Sequence, residues 1–135
     1  MTHTCFVDTS FFKAYIDIND DFHPQALQIF QKLKQTKAQL ITSNYILDET
    51  FTVIRSKCGL ETAKQFKEIL EQSDLNLKIT RVIVTDEVNA WNFFLNDWSK
   101  LSFTDCVSFA TMKRLNIKTA LTFDNHFKRA GFKIT

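Results

Sequence analysis

Four acidic side chains stand at points where a short apolar run gives way to a turn or to a helical pattern. Asp8 and Asp124 each directly follow such a run, Glu49 lies in the first turns of a helical segment, and Asp105 begins a further one. In open parallel sheets, ligands bind at the carboxyl ends of the strands. The four carboxylates are therefore predicted to converge at one edge of a sheet.

Carboxylates that crowd into one pocket repel one another, so they either take up protons or bind a divalent cation that offsets their charge. A set of ligands made only of oxygen favours Mg²⁺ or Mn²⁺ over zinc or copper. Mg²⁺ held by a few carboxylates keeps several waters, which leaves room for a phosphate oxygen and a water nucleophile. The acids thus predict metal-assisted hydrolysis of a phosphodiester.

Each acid also has a purely structural explanation. Asp105 fits a capping box at the start of its helix, and Asp124 could cap a short helix. Asp8 could stabilise its own turn, and Glu49 could be an exposed helical residue beside Asp48. The placement of all four favours a site, but spacing alone leaves their convergence open.

The elements that must position these acids alternate along the chain. Short apolar runs predict four buried strands and one possible edge strand, in segments 5–7, 40–41, 82–84, 120–123 and 132–134. Apolar residues at helical spacing predict helices in segments 24–34, 45–58, 61–72, 88–98 and 103–115. Because parallel strands need crossover connections, which are usually helical, this order predicts an α/β fold with an open parallel sheet.

The size and composition of the chain predict one compact domain over residues 1–135. The sequence has 135 residues, 44% of them hydrophobic, with one Pro and two Gly. This composition argues against disorder and low-complexity linkers. The net charge of +2 is too weak to identify a nucleic-acid binder by itself.

The three cysteines, Cys5, Cys58 and Cys106, are widely spaced and form no CxxC pair. They predict buried thiols in a reducing compartment and indicate neither a disulfide framework nor a zinc site. The sequence shows no charged-then-apolar leader, and no apolar run approaches roughly 18 residues. We therefore expect a cytoplasmic protein without a membrane span.

Positive charge is concentrated in the last quarter of the chain, at Lys113, Arg114, Lys118, Lys128, Arg129 and Lys133. These residues could hold RNA phosphates around an acidic pocket, although solvated helix surfaces explain them equally well. His126 lies two residues after Asp124 and is interpreted as a surface or capping residue.

The residues that flank the four acids carry a family resemblance. Segments 6–10, 43–50, 101–105 and 121–127 resemble the PIN-domain nucleases and, within that family, the VapC-like toxins of bacterial toxin–antitoxin pairs. The segments occur in the family's order and span nearly the whole chain. The resemblance implies a PIN-like three-layer α/β/α sandwich with a central parallel sheet of four to five strands. It also implies endoribonuclease activity on structured RNA.

The same resemblance implies roles for particular residues. Asp8 and Asp105 would be direct or water-mediated metal ligands, and Glu49 and Asp124 would complete the acidic pocket. Three short hydroxyl side chains would orient carboxylates or waters by hydrogen bonds, namely Ser10, Thr104 and Thr122. A homodimer and a small antitoxin that occupies the active-site groove are also implied.

Other functions compete with the toxin. A housekeeping PIN-domain nuclease for RNA processing and a catalytically silent RNA-binding module would share the fold, although the presence of all four acids weighs against the silent module. A phosphatase of the haloacid-dehalogenase type expects a second Asp two residues after the first, where this chain has Ser10. A receiver domain expects paired acids at the end of its first strand, and Asp8 stands there without a neighbouring acid.

Overall fold

The computed structural model describes residues 3–72 and 74–135 and shows five strands and seven helices in those ranges. In chain order they are β1 (Thr4–Val7), α1 (Thr9–Ile16), α2 (His23–Thr36), β2 (Gln39–Ser43), α3 (Asn44–Cys58), α4 (Leu60–Leu70), β3 (Leu77–Thr80), α5 (Val84–Phe94), α6 (Phe103–Arg114), β4 (Thr119–Leu121), α7 (His126–Arg129) and β5 (Lys133–Ile134).

All five strands are parallel and lie in the order β3-β2-β1-β4-β5. Helices flank this sheet, so the predicted three-layer α/β/α fold with a parallel sheet is confirmed. The central strand β1 is buried from Cys5 to Val7, as expected for a strand covered on both faces. Because Val7 pairs with Leu121, the residues that follow β1 and β4 emerge side by side.

The prediction of a strand in segment 82–84 is wrong. The third strand is β3, and Val84 begins α5 with 73% of its surface exposed. β3 lies at the edge of the sheet, where Lys78 and Ile79 are exposed, so it lacks the continuous apolar run that marks a buried strand. The helix predicted at 88–98 consequently begins and ends four residues earlier.

The helix α1 was not predicted, because the residues after β1 were interpreted as a polar turn. Asp8 acts as its N-cap, and the Asp8 carboxylate accepts a hydrogen bond from the Ser10 backbone nitrogen at 3.4 Å. The strand therefore passes directly into a helix without a loop. The other four predicted helices agree with α2, α3, α4 and α6 to within two residues at each end.

A buried ion pair joins α5 to α6, the helix that carries Asp105. Nε and Nη2 of Arg114 lie 2.8 and 2.9 Å from the two carboxylate oxygens of Asp86, whose surface is only 1% exposed. The Thr111 hydroxyl donates a further hydrogen bond to the same carboxylate at 3.1 Å. Burial alone would raise the pKa of Asp86, but the hydrogen bonds from Arg114 and its neighbours prevail and lower it.

Cys5, Cys58 and Cys106 are free thiols; Cys5 and Cys106 are buried as predicted, whereas Cys58 is only half-buried. Burial, with a smaller contribution from the nearby Asp105 carboxylate, raises the pKa of the Cys106 thiol to about 11. In residues 3–72 and 74–135, no helix combines the length and the apolar character needed to cross a bilayer.

Candidate active site

The four predicted acids lie where strands end or helices begin at the carboxyl side of the sheet. Asp8 follows β1 directly, and Asp124 lies three residues beyond the end of β4. Glu49 is on α3, the helix that begins where β2 ends, and Asp105 is in the first turn of α6. The charges of Asp124 and Glu49 both act on Asp8, and those of Asp8 and Asp124 act on Asp105. The fold therefore brings the four acids into one electrostatic cluster.

The Asp8 carboxylate is held by short hydroxyl side chains from two parts of the chain. Its Oδ2 accepts hydrogen bonds from the hydroxyls of Ser10 and Thr122, each at 2.9 Å. The Asp8 backbone nitrogen also donates to the Leu121 carbonyl at 3.1 Å. These contacts join the end of β1 to the end of β4 and fix the orientation of the carboxylate.

The same hydroxyls also hold the loop that carries Asp124. The Thr122 hydroxyl oxygen accepts a hydrogen bond from the Asp124 backbone nitrogen, and the Ser10 hydroxyl oxygen accepts one from the Phe123 backbone nitrogen, both at 2.9 Å. Thr104 differs, because its hydroxyl makes no hydrogen bond to the acids within the described ranges and only its carbonyl is used, by Ser108.

Asp105 and Asp124 each combine a structural role with a place in the cluster. Asp105 forms the predicted capping box, since its Oδ2 accepts from the Ser102 backbone nitrogen at 3.2 Å. Oδ1 of Asp124 accepts from the His126 backbone nitrogen at 2.9 Å. In the described part of the chain, the other oxygen of each carboxylate, like Oδ1 of Asp8, makes no hydrogen bond to protein. These oxygens are free to bind a cation.

Burial and mutual repulsion make two of the acids hard to ionise. Burial, with smaller contributions from the charges of Asp124 and Glu49, raises the pKa of Asp8 to about 6 against the hydrogen bonds from Thr122 and Ser10 that lower it. Burial likewise raises the pKa of Asp105 to about 7, assisted by the charges of Asp8 and Asp124. A neighbouring positive charge would reverse these shifts.

Glu49 and Asp48 are neighbours on α3 with different surroundings. Asp48 is exposed, whereas Glu49 is half-buried and its charge acts on Asp8. Glu49 is thus the more buried acid of the pair and the one whose charge reaches Asp8.

His126, interpreted from the sequence as a surface or capping residue, lies against two of the acids. Its Nδ1 lies 2.8 Å from Oδ1 of Asp124 and 3.7 Å from Oδ2 of Asp105. Potential ligand atoms of Asp105, Asp124 and His126 all lie within 4.8 Å of one another. The one sequence signal was the spacing of two residues between Asp124 and His126, which by itself also fits a helix cap.

The residues present fit a divalent cation. Crowded carboxylates with raised pKa values, each with a free oxygen, and a buried nitrogen beside them form a set of donors that a cation would stabilise. With bound metal, such a cluster is suited to phosphoryl chemistry.

Comparisons with known proteins agree with this geometry. The family model of the PIN domain matches residues 5–133. The chain is 32% identical over 128 residues to the 23S rRNA-specific endonuclease VapC20 of Mycobacterium tuberculosis, a match that covers 94% of each chain.

Solved structures show the same fold. The crystal structure of Mycobacterium tuberculosis VapC20, described as a Sarcin-Ricin loop cleaving toxin, matches with a TM-score of 0.81 over 95% of both chains. The structure of VapBC2 from Rickettsia felis, bound to a DNA fragment from its promoter, matches with a TM-score of 0.72 at 13% identity, over 98% of this chain and 97% of that one. A likeness at that identity is one of fold.

We predict that the metal-free protein becomes less stable as the pH rises from about 4 to 8. The folded-state pKa values of Asp8 and Asp105, about 6 and about 7, lie above the ordinary value of 3.8, so the folded state binds more protons than the unfolded state across this range. The stabilisation of the folded state by these two protonated acids is complete below their ordinary pKa. It is lost as the pH rises through their raised pKa values. Urea unfolding in EDTA measures this loss.

Asp105→Asn should reduce the loss of unfolding free energy over this pH range by at least about 1 kcal/mol, the free energy that corresponds to one pKa unit. Asp21→Asn, which changes an exposed acid, should follow the wild type. Saturating Mn²⁺ should restore the unfolding free energy that the wild-type protein loses at pH 8. An Asp105→Asn protein with the full wild-type pH dependence would contradict the crowding of these carboxylates.

Proposed function

This chain belongs to the PIN-domain family, and we propose that it is a metal-dependent endoribonuclease that acts as the toxin of a toxin–antitoxin pair. The observation that carries the proposal is its match, over nearly the full length of both chains, to a relative named as an rRNA endonuclease. The acidic cluster supplies the chemistry that this activity requires. We propose that residues 1–135 form one catalytic domain that works in the cytoplasm.

We propose that Asp8, Asp105, Asp124 and Glu49 form the catalytic pocket and hold Mg²⁺ or Mn²⁺. These carboxylates would hold the cation, which would offset negative charge on the scissile phosphate and provide a water of lowered pKa as the nucleophile. Ser10 and Thr122 keep Oδ2 of Asp8 occupied, so Oδ1 remains for the cation. Thr104 makes no such contact here and stays a predicted orienting residue.

A positively charged groove beside the acids supports RNA as the substrate. Lys113, Arg114 and Arg129 line it together with the indole of Trp98 and the amides of Asn89, Asn92 and Asn96. The Arg129 guanidinium lies 4.7 Å from the Trp98 ring, and that ring stacks parallel to His126 of the acidic cluster. Since Arg114 is paired with Asp86, Lys113 and Arg129 are the charges available to phosphates.

An exposed apolar face on α5 supports a homodimer. Val84, Val88 and Trp91 of α5 and its C-cap Leu95 recur at intervals of four, three and four residues, and each is at least half exposed. The charged residues of α5 are withdrawn from this face, because Asp86 is buried with Arg114 and Glu87 accepts a hydrogen bond from Tyr45. Apolar, charge-poor surfaces are typical of homodimer interfaces, where one patch meets its own copy.

A small antitoxin is the second proposed partner. VapC20 is described as a toxin, and a toxin must be held inactive by a partner in the cell that makes it. We propose that the antitoxin covers the acidic pocket and the adjacent groove.

We predict that the purified protein cleaves a sarcin–ricin stem-loop RNA only when Mg²⁺ or Mn²⁺ is present. Asp8→Asn and Asp105→Asn should lower the cleavage rate on the order of 10²- to 10³-fold, since one lost charged contact at a reacting group costs several kcal/mol. Glu49→Gln should lower it about 10- to 100-fold. Gel-resolved time courses measure all of these rates.

Asp48→Asn is the matched control for Glu49→Gln, because Asp48 is the exposed neighbour, and it should cleave like the wild type. Circular dichroism establishes that each variant is folded. Full activity in excess EDTA, or an Asp105→Asn protein as active as the wild type, would overturn the metal-dependent mechanism.

We predict that induction of the wild-type chain arrests bacterial growth and that induction of Asp105→Asn at the same protein level does not. Growth curves and sequencing of new RNA 5′ ends measure both effects. If the wild-type protein cleaves RNA in vitro but its induction leaves growth unaffected, the chain is an RNA-processing nuclease and not a toxin.

We predict that the wild type is a dimer in sedimentation-velocity experiments and that Val88→Glu is a monomer, because the new carboxylate would be buried between two apolar faces. Leu27→Glu, at an exposed apolar position on α2, is the matched control and should remain dimeric. A monomeric wild-type protein, or a Val88→Glu protein that is still a dimer, would rule out this interface.

A further inference from the structure

One ring nitrogen in the acidic cluster is buried without a hydrogen-bond partner in the described part of the chain. It is Nδ1 of His126. Oδ1 of Asp124 is only 2.8 Å away, but the pair does not meet hydrogen-bond geometry. A buried polar atom without a partner costs free energy, so its position calls for a physical explanation.

The other ring nitrogen of His126 makes a hydrogen bond that shows where a hydrogen lies. Nε2 of His126 lies 2.8 Å from the backbone carbonyl of Ser99. A carbonyl only accepts hydrogen bonds, so Nε2 must carry the hydrogen. In the neutral imidazole, Nδ1 then holds a lone pair that faces carboxylate oxygens of Asp124 and Asp105. Lone pairs so close together repel unless a positive charge lies among them, and either a proton on Nδ1 or a metal cation can supply that charge.

The position of the ring is constrained from several sides. The Trp98 indole stacks against it, with 3° between the ring planes. The His126 backbone nitrogen donates to Oδ1 of Asp124 at 2.9 Å, which fixes the start of α7 against that carboxylate. A flip of the imidazole that turned Nδ1 away from the acids would therefore break the Ser99 hydrogen bond.

We propose that Nδ1 of His126 is a ligand of the divalent cation, together with Asp105 and Asp124. The proposal rests on the metal dependence proposed above and adds a nitrogen to its all-oxygen ligand set. Ligand atoms of these residues already lie within 4.8 Å of one another. A histidine that binds a metal through one nitrogen usually donates its other N–H to a carboxylate or a backbone carbonyl, as His126 does to Ser99.

A nitrogen ligand changes which cation the site prefers. Mg²⁺ is bound almost entirely by oxygen, whereas imidazole binds first-row transition metals well. We therefore expect Mn²⁺ to bind more tightly than Mg²⁺, and His126→Gln to weaken Mn²⁺ binding on the order of tenfold while changing Mg²⁺ binding less. Isothermal titration calorimetry measures both affinities.

Pulsed EPR of the Mn²⁺-loaded protein tests the contact directly, because a coordinated imidazole nitrogen modulates the electron spin echo. The modulation should be present in the wild type, change when the histidines carry ¹⁵N, and disappear in His126→Gln. His23→Gln is the matched control, since the ring of His23 lies against the Ala14 carbonyl on another part of the chain. The ¹⁵N measurement on the wild type needs no substitution and does not depend on how well a variant folds.

The outcomes separate this inference from the proposed function. Tight Mn²⁺ binding without nitrogen modulation in the wild type would overturn the role of His126 and leave the acidic metal site intact. Modulation that survives in His126→Gln would overturn it as well. Absence of saturable Mn²⁺ binding to a wild-type protein that cleaves RNA would remove the metal site itself.

Discussion

Repulsion among carboxylates at the carboxyl edge of the sheet is the constraint on which the other features of this protein depend. Asp8 and Asp105 are buried within reach of other acids, so their pKa values rise to about 6 and about 7. A fold that places several carboxylates together must hold each side chain by hydrogen bonds. Otherwise the acids would move apart and each would be solvated by water. A divalent cation would offset the repulsion that remains, and the same cation would make the site suited to phosphoryl chemistry.

The hydrogen bonds that hold the acids are also the ones that build the surrounding elements. Asp8 caps α1, Asp105 closes the capping box of α6, and Asp124 fixes the start of α7. The structural and catalytic explanations of these acids are therefore compatible. A carboxylate has two oxygens, and here one serves the backbone or a hydroxyl while the other is left for a cation.

The acidic cluster, the basic groove and the apolar face of α5 each bear on a different aspect of function. The proposed metal site rests on the acidic cluster, because crowded oxygen donors with raised pKa values are suited to a cation. RNA as the substrate depends on the named relative and on the basic groove next to His126. The apolar face of α5 bears on assembly, since it is exposed and charge-poor.

The sequence by itself determined the fold class and singled out the four acids, because alternation of apolar runs with helical spacing implies a parallel sheet and strand ends mark its binding edge. It misplaced the third strand, since the half-exposed edge strand β3 has no apolar run to mark it. It also missed α1, which begins directly at a strand end.

Only the tertiary structure placed His126 against the acids, whereas Glu49 was already chosen from the sequence. The state of the imidazole depends on the Ser99 carbonyl, 27 positions away, and on Trp98. Local patterns report on which face a residue occupies, whereas a ligand's orientation depends on contacts between segments distant in sequence. The acids were visible in the sequence because strand ends place them, but the nitrogen that faces them was visible only once the chain had folded.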